Sequence, residues 1–471
     1  MGVKKMEKFE NMTNSDKRIL QILQNYPLEP FSSMAKRLEI SPQTMIRRIE
    51  NLKSRNILRN AIASFVPERI GLTRFSVIFD ISQLHQFTLL QNAISEHNYI
   101  RAYNRFYGEK FGIQANFDVP MNVNGIFTKF LDYLVNEEFC DGYTIFKSKG
   151  HRFSKPAPIT IYSQDPEPFD IISFWQKRVK ASSELNGVRS AVTVKNGEII
   201  IVTDEGEKPI EPLHLRLLRD LTRETVNGHK IGIRTQQTEL IKNYRDLYKS
   251  LGKKIRLTPS EEHLFNNLSE FFDTRNEHNI KVDFGRKYYN IVKNYLITNP
   301  RWNFARKLFE DNVTRGFIIE NVPEKEKAQL FNFLKGENPP FQTGVELLDR
   351  GIFFRLSLPP YYDSKLNYLI WSTFKEYSIC SLDFFGKHGM WWPFYLENFD
   401  FDTKSWRTDE EWMFTSVITS IDDKLKNGNF GEVNVHKHIE NGNGNYSNGY
   451  KNGSEYLHTH ISNGSKSIVT N

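Results

Sequence analysis

The sequence predicts an α+β chain that opens with a winged helix-turn-helix and continues into a βαββαβ module whose plan recurs in the second half. Three observations carry the prediction. A short helix is announced at Ser41-Pro42 by its own cap, strand-like alternation and a glycine-centred hairpin follow between residues 75 and 119, and Thr314-Arg315-Gly316-Phe317-Ile318-Ile319-Glu320 echoes Thr73-Arg74-Phe75-Ser76-Val77-Ile78-Phe79.

The first helix has Ser15 or Asp16 as its cap, with Ile19, Ile22, Leu23 and Tyr26 at helical spacing, and Pro27 and Pro30 stop it. A second helix starts at Ser32 or Ser33 and buries Met34, Ala35 and Leu38. The third has the sharpest start, because Ser41 offers its hydroxyl to orphan N–H groups and Pro42 takes the first helical position, where a missing N–H costs nothing. At about 100° per residue Met45, Ile49 and Leu52 share one face. Gln43, Thr44, Arg47 and Asn51 fall opposite and are the candidates to reach DNA base edges. Lys36, Arg37, Ser41, Arg48, Arg55 and Arg59 are the candidates for phosphate. Asn56 tolerates the left-handed conformation of a helix stop. Segments 57–59 and 61–66 then form two short strands of a wing, with Asn60 between them.

The runs Asp16-Lys17-Arg18-Ile19-Leu20, Met34-Ala35-Lys36-Arg37-Leu38, Ile40-Ser41-Pro42-Gln43-Thr44 and Arg47-Arg48-Ile49 resemble the N-terminal domain of the Lrp/AsnC family, the leucine-responsive regulators of archaea and bacteria. Glu39 departs from the family, which has glycine at that turn, so a positive φ there costs on the order of 1 kcal/mol. The resemblance continues through a strand at 75–81, a helix at 84–97, a hairpin of 99–107 with 111–119, a helix at 123–136 and a strand at 142–147. That order is the ferredoxin-like plan such regulators use for dimerisation and effector sensing, and the resemblance covers residues 14 to 162. It implies double-stranded DNA as partner, a small-molecule effector such as an amino acid, and Gly108 and Gly112 in the hairpin bordering its pocket.

The second half repeats the order, with a strand at 314–320, a helix at 324–334, strands at 343–348 and 352–358 around Asp349-Arg350-Gly351, a helix at 365–374 and a strand at 381–385. Even the exits Phe146-Lys147-Ser148-Lys149-Gly150-His151 and Phe384-Phe385-Gly386-Lys387-His388-Gly389 match, which marks an internal repeat. The domains expected are a flexible N-terminus over 1–13, the winged helix-turn-helix over 14–70, a ferredoxin-like module over 71–162, and a connector with a hairpin over 163–208. A helical region over 209–312, a second ferredoxin-like module over 313–425 and a disordered Asn/Gly-rich tail over 426–471 follow. The helical region reads as a degenerate second helix-turn-helix, with Leu215, Leu218 and Leu221 on one helix and Ile241, Tyr244 and Tyr248 on another. Two copies in one chain imply a pairing within the chain, or a homodimer of such chains.

Composition agrees. The 471 residues carry a net charge of +7 with pI near 9.0, which favours a polyanion. Cys140 and Cys380 form neither a metal spacing nor a disulfide framework, no apolar run reaches the roughly 20 residues of a membrane span, and a cytoplasmic location is expected. The tail pairs His436/His438 and His458/His460 are too sparse for a selective metal site, so no metal or cofactor is expected. No phosphate-cradling glycine loop or nucleophile elbow occurs, and no catalytic residue is nominated. Two alternatives stay open beside the regulator. One is a tetrapyrrole enzyme resembling the siroheme decarboxylases, through Tyr26-Pro27-Leu28-Glu29-Pro30-Phe31 and with His97, Arg101, Tyr103 and Arg105 as carboxylate holders; the other is an interaction scaffold that binds no DNA.

Overall fold

Helix α1 (Asn14–Asn25) begins two or three residues earlier than the sequence suggests, because Thr13 is its cap: the Thr13 hydroxyl accepts from the Asp16 N–H at 3.1 Å, and the Asp16 carboxylate is left for other partners. Helix α2 (Phe31–Arg37) starts after Pro30, and α3 (Pro42–Ser54) starts as expected, with Ser41 Oγ accepting from the Thr44 N–H at 3.1 Å. Glu39 and Asn56 both have φ 56°, so the two turns flanking α3 are left-handed although neither carries glycine. The computed structural model describes residues 12–108, 111–121, 123–156, 170–185, 191–195, 197–222, 232–304, 312–337, 341–390 and 395–427. The N-terminal segment, the histidine pairs of the tail and Trp391 to Phe394 lie outside the described residues.

The expected wing is not a local hairpin. Residues 58–65 form one strand, β1 (Leu58–Phe65), and its antiparallel partner is β9 (Ile297–Phe304), a strand the sequence reading had placed inside a helical region. Between them come β2 (Leu72–Ile81), α4 (Leu84–Glu96), β3 (Ile100–Gly108), β4 (Phe111–Pro120), α5 (Asn124–Asn136) and β5 (Gly142–Lys155). A connector follows, with α6 (Ile171–Gln176) and a three-stranded sheet of β6 (Val192–Lys195), β7 (Glu198–Thr203) and β8 (Gly206–Pro209), one strand more than the expected hairpin. The helical region holds α7 (Pro212–Thr222), α8 (Gln237–Leu251), α9 (Pro259–Asp273) and α10 (Glu277–Phe284), the last extended by π-helical turns to Leu296. The chain then forms β10 (Val313–Glu320), α11 (Glu324–Gly336), β11 (Gln342–Leu348), β12 (Gly351–Leu358), α12 (Pro360–Thr373), β13 (Ser378–Met390), α13 (Tyr395–Asn398) and α14 (Ser416–Lys426).

Eight strands close into one antiparallel barrel, in the order β10-β12-β11-β5-β2-β4-β3-β13. Within it β5-β2-β4-β3 and β13-β10-β12-β11 have the same internal order, and the two quartets are sewn together by β5 on β11 and by β13 on β3. That seam is why β5 runs to Lys155 and not to Lys147: its second half, beyond Ser148, pairs with β11 of the other quartet. Alternation along the strands sends Val77, Phe79, Ile113 and Phe117 outward onto α4 and α5, and Phe317, Ile319, Phe354 and Leu356 outward onto α11 and α12. Ile78, Phe106, Phe146, Ile318, Leu348 and Leu382 pack separately inside. The helices that follow each quartet cover the other one: Trp175 of α6 reaches Thr373 of α12 at 2.8 Å, and Ser420 of α14 reaches Glu96 of α4 at 2.8 Å.

Part of the barrel is polar. Arg74 and Asp118, opposite each other on β2 and β4, form a two-pronged ion pair at 2.6 and 2.8 Å. Burial disfavours both charges, yet their attraction holds the Asp118 carboxyl below its usual range. Arg152 on β5 donates to Glu68 at 2.6 Å and faces Glu346 of β11 at 3.8 Å. Breaking such a pair on one side leaves a buried charge unmatched. Arg74→Met is therefore expected to lower the unfolding free energy by about 3–5 kcal/mol in urea denaturation. Adding Asp118→Leu should recover most of that loss; failure to do so would show that packing, not charge, is what Arg74 supplies.

Candidate nucleic-acid interface

Helix α3 is tied to α1 through Asp16. Its carboxylate, 8% exposed, takes Arg48 on one oxygen and Arg55 on the other, both at 3.1 Å, so α1 grips α3 at two points nearly two turns apart. Beneath this clamp Met45, Ile49 and Leu52 are buried against α1 and α2. The structure thus gives two of the expected phosphate ligands a partner inside the domain. Arg37 is likewise held, by Glu29 at 3.0 Å and over the Tyr26 ring at 4.4 Å. Ser41 is occupied with its cap and with the Thr44 hydroxyl at 2.9 Å, and Arg59 is half-buried on β1.

Of the base-contact candidates, Gln43 and Arg47 are exposed, and among the described residues no hydrogen bond or ion pair engages either side chain. Asn51 is exposed too, but its Oδ1 accepts from Arg55 at 3.1 Å; Thr44 is half-buried. The other exposed positions of α3 are its first residue, Pro42, and Ile46, Glu50 and Ser54, none of them among the base-contact candidates. One signal could have found Ile46: it is the apolar residue of α3 that does not fit the Met45/Ile49/Leu52 stripe. Lys36 adds an exposed cation on α2, and Lys53 pairs with Glu50 at 3.1 Å.

The domain is seated on the second helical region by Arg234. Its guanidinium donates to the carbonyls of Pro27 at 2.7 Å and Glu29 at 2.8 Å, and lies over the rings of Phe31 at 4.2 Å and Trp302 at 5.6 Å. The Pro-Leu-Glu-Pro-Phe turn is therefore a docking point for the rest of the chain. Nothing in α3 itself is used by this contact.

Residues 12–53 match the AsnC-type helix-turn-helix domain. This segment is an AsnC-type helix-turn-helix. No curated protein matches the chain. Among solved structures, the siroheme decarboxylase NirDL is similar over 87% of this chain and 100% of its own, at 12% identity and a TM-score of 0.42. A transcriptional regulator of Neisseria meningitidis solved with L-Met covers 29% of this chain and 88% of its own, at 21% identity and a TM-score of 0.25. The corresponding figures for E. coli AsnC are 29%, 91%, 16% and 0.22. Likenesses of this strength transfer no activity. Among the described residues no helix is long and apolar enough to cross a membrane, and no cluster of three metal-ligating side chains occurs.

Of the residues nominated for a tetrapyrrole, His97, Arg101 and Arg105 have partners within the fold. His97 is 1% exposed: its Nδ1 accepts from the Tyr99 N–H at 3.1 Å, and its ring packs on Phe130 at 4.6 Å and Phe117 at 5.3 Å. The proton is then assigned to Nε2, which has no hydrogen-bond partner among the described residues and points among aromatic rings. Arg105 donates to Gln91 at 2.5 Å, Arg101 lies over Phe65 at 5.4 Å, and Tyr103 is buried. The glycines expected at an effector pocket serve strand packing. A Cβ on Gly112 would stand 2.1 Å from the Phe79 carbonyl oxygen, and one on Gly108 would stand 2.5 Å from that of Ser381.

Burial pushes the His97 pKa down to about 3 from an ordinary 6.5, so the folded chain holds a neutral ring where the unfolded chain takes up a proton. The stability this contributes is complete above pH 6.5 and is lost as pH falls from there toward 3. His97→Phe should flatten the fall in unfolding free energy between pH 6.5 and 4.5. A residual slope is expected from His214, which burial holds near 4; an unchanged slope in the variant would show that His97 takes up its proton alike in the folded and unfolded chains.

Proposed function

We propose that this chain is a DNA-binding transcriptional regulator of the Lrp/AsnC type that reads double-stranded DNA through α3. The observation that carries the reading is the unengaged outward pair Gln43 and Arg47 on a helix clamped to α1 through Asp16, inside an AsnC-type helix-turn-helix. A base-reading helix needs side chains that are free to bond and a backbone that does not shift, since misplacement forfeits paired donors and acceptors. Gln43 and Arg47 supply the first and Asp16 the second. Lys36 and Arg59 are the phosphate ligands this reading retains, while Arg48 and Arg55 are engaged by Asp16.

The two βαββαβ units are proposed to be ferredoxin-like modules related by duplication. Three features support this: their common strand order, their reciprocal seams, and the reciprocal way in which α6 and α14 cover the opposite unit. On this reading one chain contains the pairing that separate subunits would otherwise form.

The test is binding of the purified full-length chain to fragments of its own genome across a salt series, beside Arg47→Ala. A preferred site should be enriched, and the variant should lose about 1–3 kcal/mol on that site and much less on random DNA. Equal losses on both would reassign Arg47 to phosphate. No binding at low salt would overturn the regulator and return attention to the enzymatic and scaffold alternatives.

A further inference from the structure

Helix α3 exposes one residue that a purely polar reading head does not require. Ile46 is 47% exposed, whereas the other apolar residues of the helix, Met45, Ile49 and Leu52, are 1% exposed or less. At about 100° per residue it lies beside Gln43 and Glu50, on the flank away from Arg48, Arg55 and their clamp on Asp16. Among the described residues Ile46 belongs to no hydrophobic cluster, and a β-branched residue lowers helix propensity relative to Lys or Glu. Its immediate neighbours on the exposed face are Gln43, which offers hydrogen bonds to a base edge, and Glu50, whose carboxylate pairs with Lys53 at 3.1 Å; Arg47 stands further round the helix and the cation Lys36 on the preceding one.

DNA offers one apolar group in the groove where such side chains work, the C5-methyl of thymine. We propose that Ile46 is a specificity-determining residue that packs on a thymine methyl next to the base pair read by Gln43 or Arg47. The inference rests on the DNA-reading function proposed above. It assigns Ile46 to sequence preference and not to overall affinity, because the contact is short-ranged and unaffected by the phosphate charge. Burial of one methyl group predicts a contribution of about fourfold in affinity.

The experiment uses the preferred site once selected, with each thymine replaced singly by deoxyuridine, which keeps the hydrogen-bonding edge and removes only the methyl. Full-length wild type and Ile46→Ala are titrated against each duplex; the exposed position makes the variant's melting temperature a control expected to stay unchanged. One substitution should weaken wild type about fourfold and leave Ile46→Ala unaffected, while the others act alike on both. The proposal is overturned if wild type tolerates every uridine while still preferring its site, or if Ile46→Ala retains the same uridine penalty. Failure of wild type to bind unmodified DNA would overturn the underlying reading with it, and is told apart because it precedes any base substitution.

Discussion

Closure of the eight-stranded barrel is the constraint on which the remainder of this molecule depends. Each quartet of strands alone would end in two unpaired edges, with rows of N–H and C=O groups that invite foreign strands. Pairing β5 with β11 and β13 with β3 removes all four edges at once. The helical layers stay outside, the polar side chains of Arg74, Asp118, Arg152 and Glu346 meet within or at the rim, and neither quartet can be withdrawn without stripping backbone partners from the other. The close approaches at Gly108 and Gly112 are local signs of the same demand, since a side chain at either position would drive two strands apart.

That constraint extends to the N-terminal domain. Strand β1 pairs with β9, Arg301 of β9 donates to Ser64 at 2.6 Å, Ile233 donates to the Ala61 carbonyl at 3.2 Å, and Trp406 donates to the Ile70 carbonyl at 2.6 Å. With Arg234 between Phe31 and Trp302, these contacts leave the domain little freedom to swing. The outward side of α3, bearing Gln43, Ile46 and Arg47, is exposed and is used by none of these interdomain contacts.

Local rules made much of this legible from sequence. Period-two alternation located the barrel strands, and Ser41-Pro42 located the start of α3, because both signals lie within a few residues of what they specify. Partners chosen at long range were not legible. Nothing in residues 57–66 says that the mate of β1 is at 297–304, so a local wing was inferred, and nothing in Asp16 distinguishes a helix cap from an ion-pair acceptor until Thr13 is seen taking the cap. Arg48 and Arg55 looked like phosphate ligands for the same reason: charge is visible in a sequence, but its partner is not. His97 shows the reverse case, a chemically versatile residue whose aromatic neighbours come from β4 and α5.

The pairing of β1 with β9 also bears on how the protein is made. More than two hundred residues separate Phe65 from its partner Ile297, and ribosomes add roughly 5–20 residues per second. The N-terminal domain leaves the ribosome with an open strand edge that stays unmatched for roughly ten to fifty seconds. During that interval the nascent chain carries a three-helix head whose seat is missing, and a chaperone that shields one exposed strand would protect the entire molecule from pairing with the wrong neighbour.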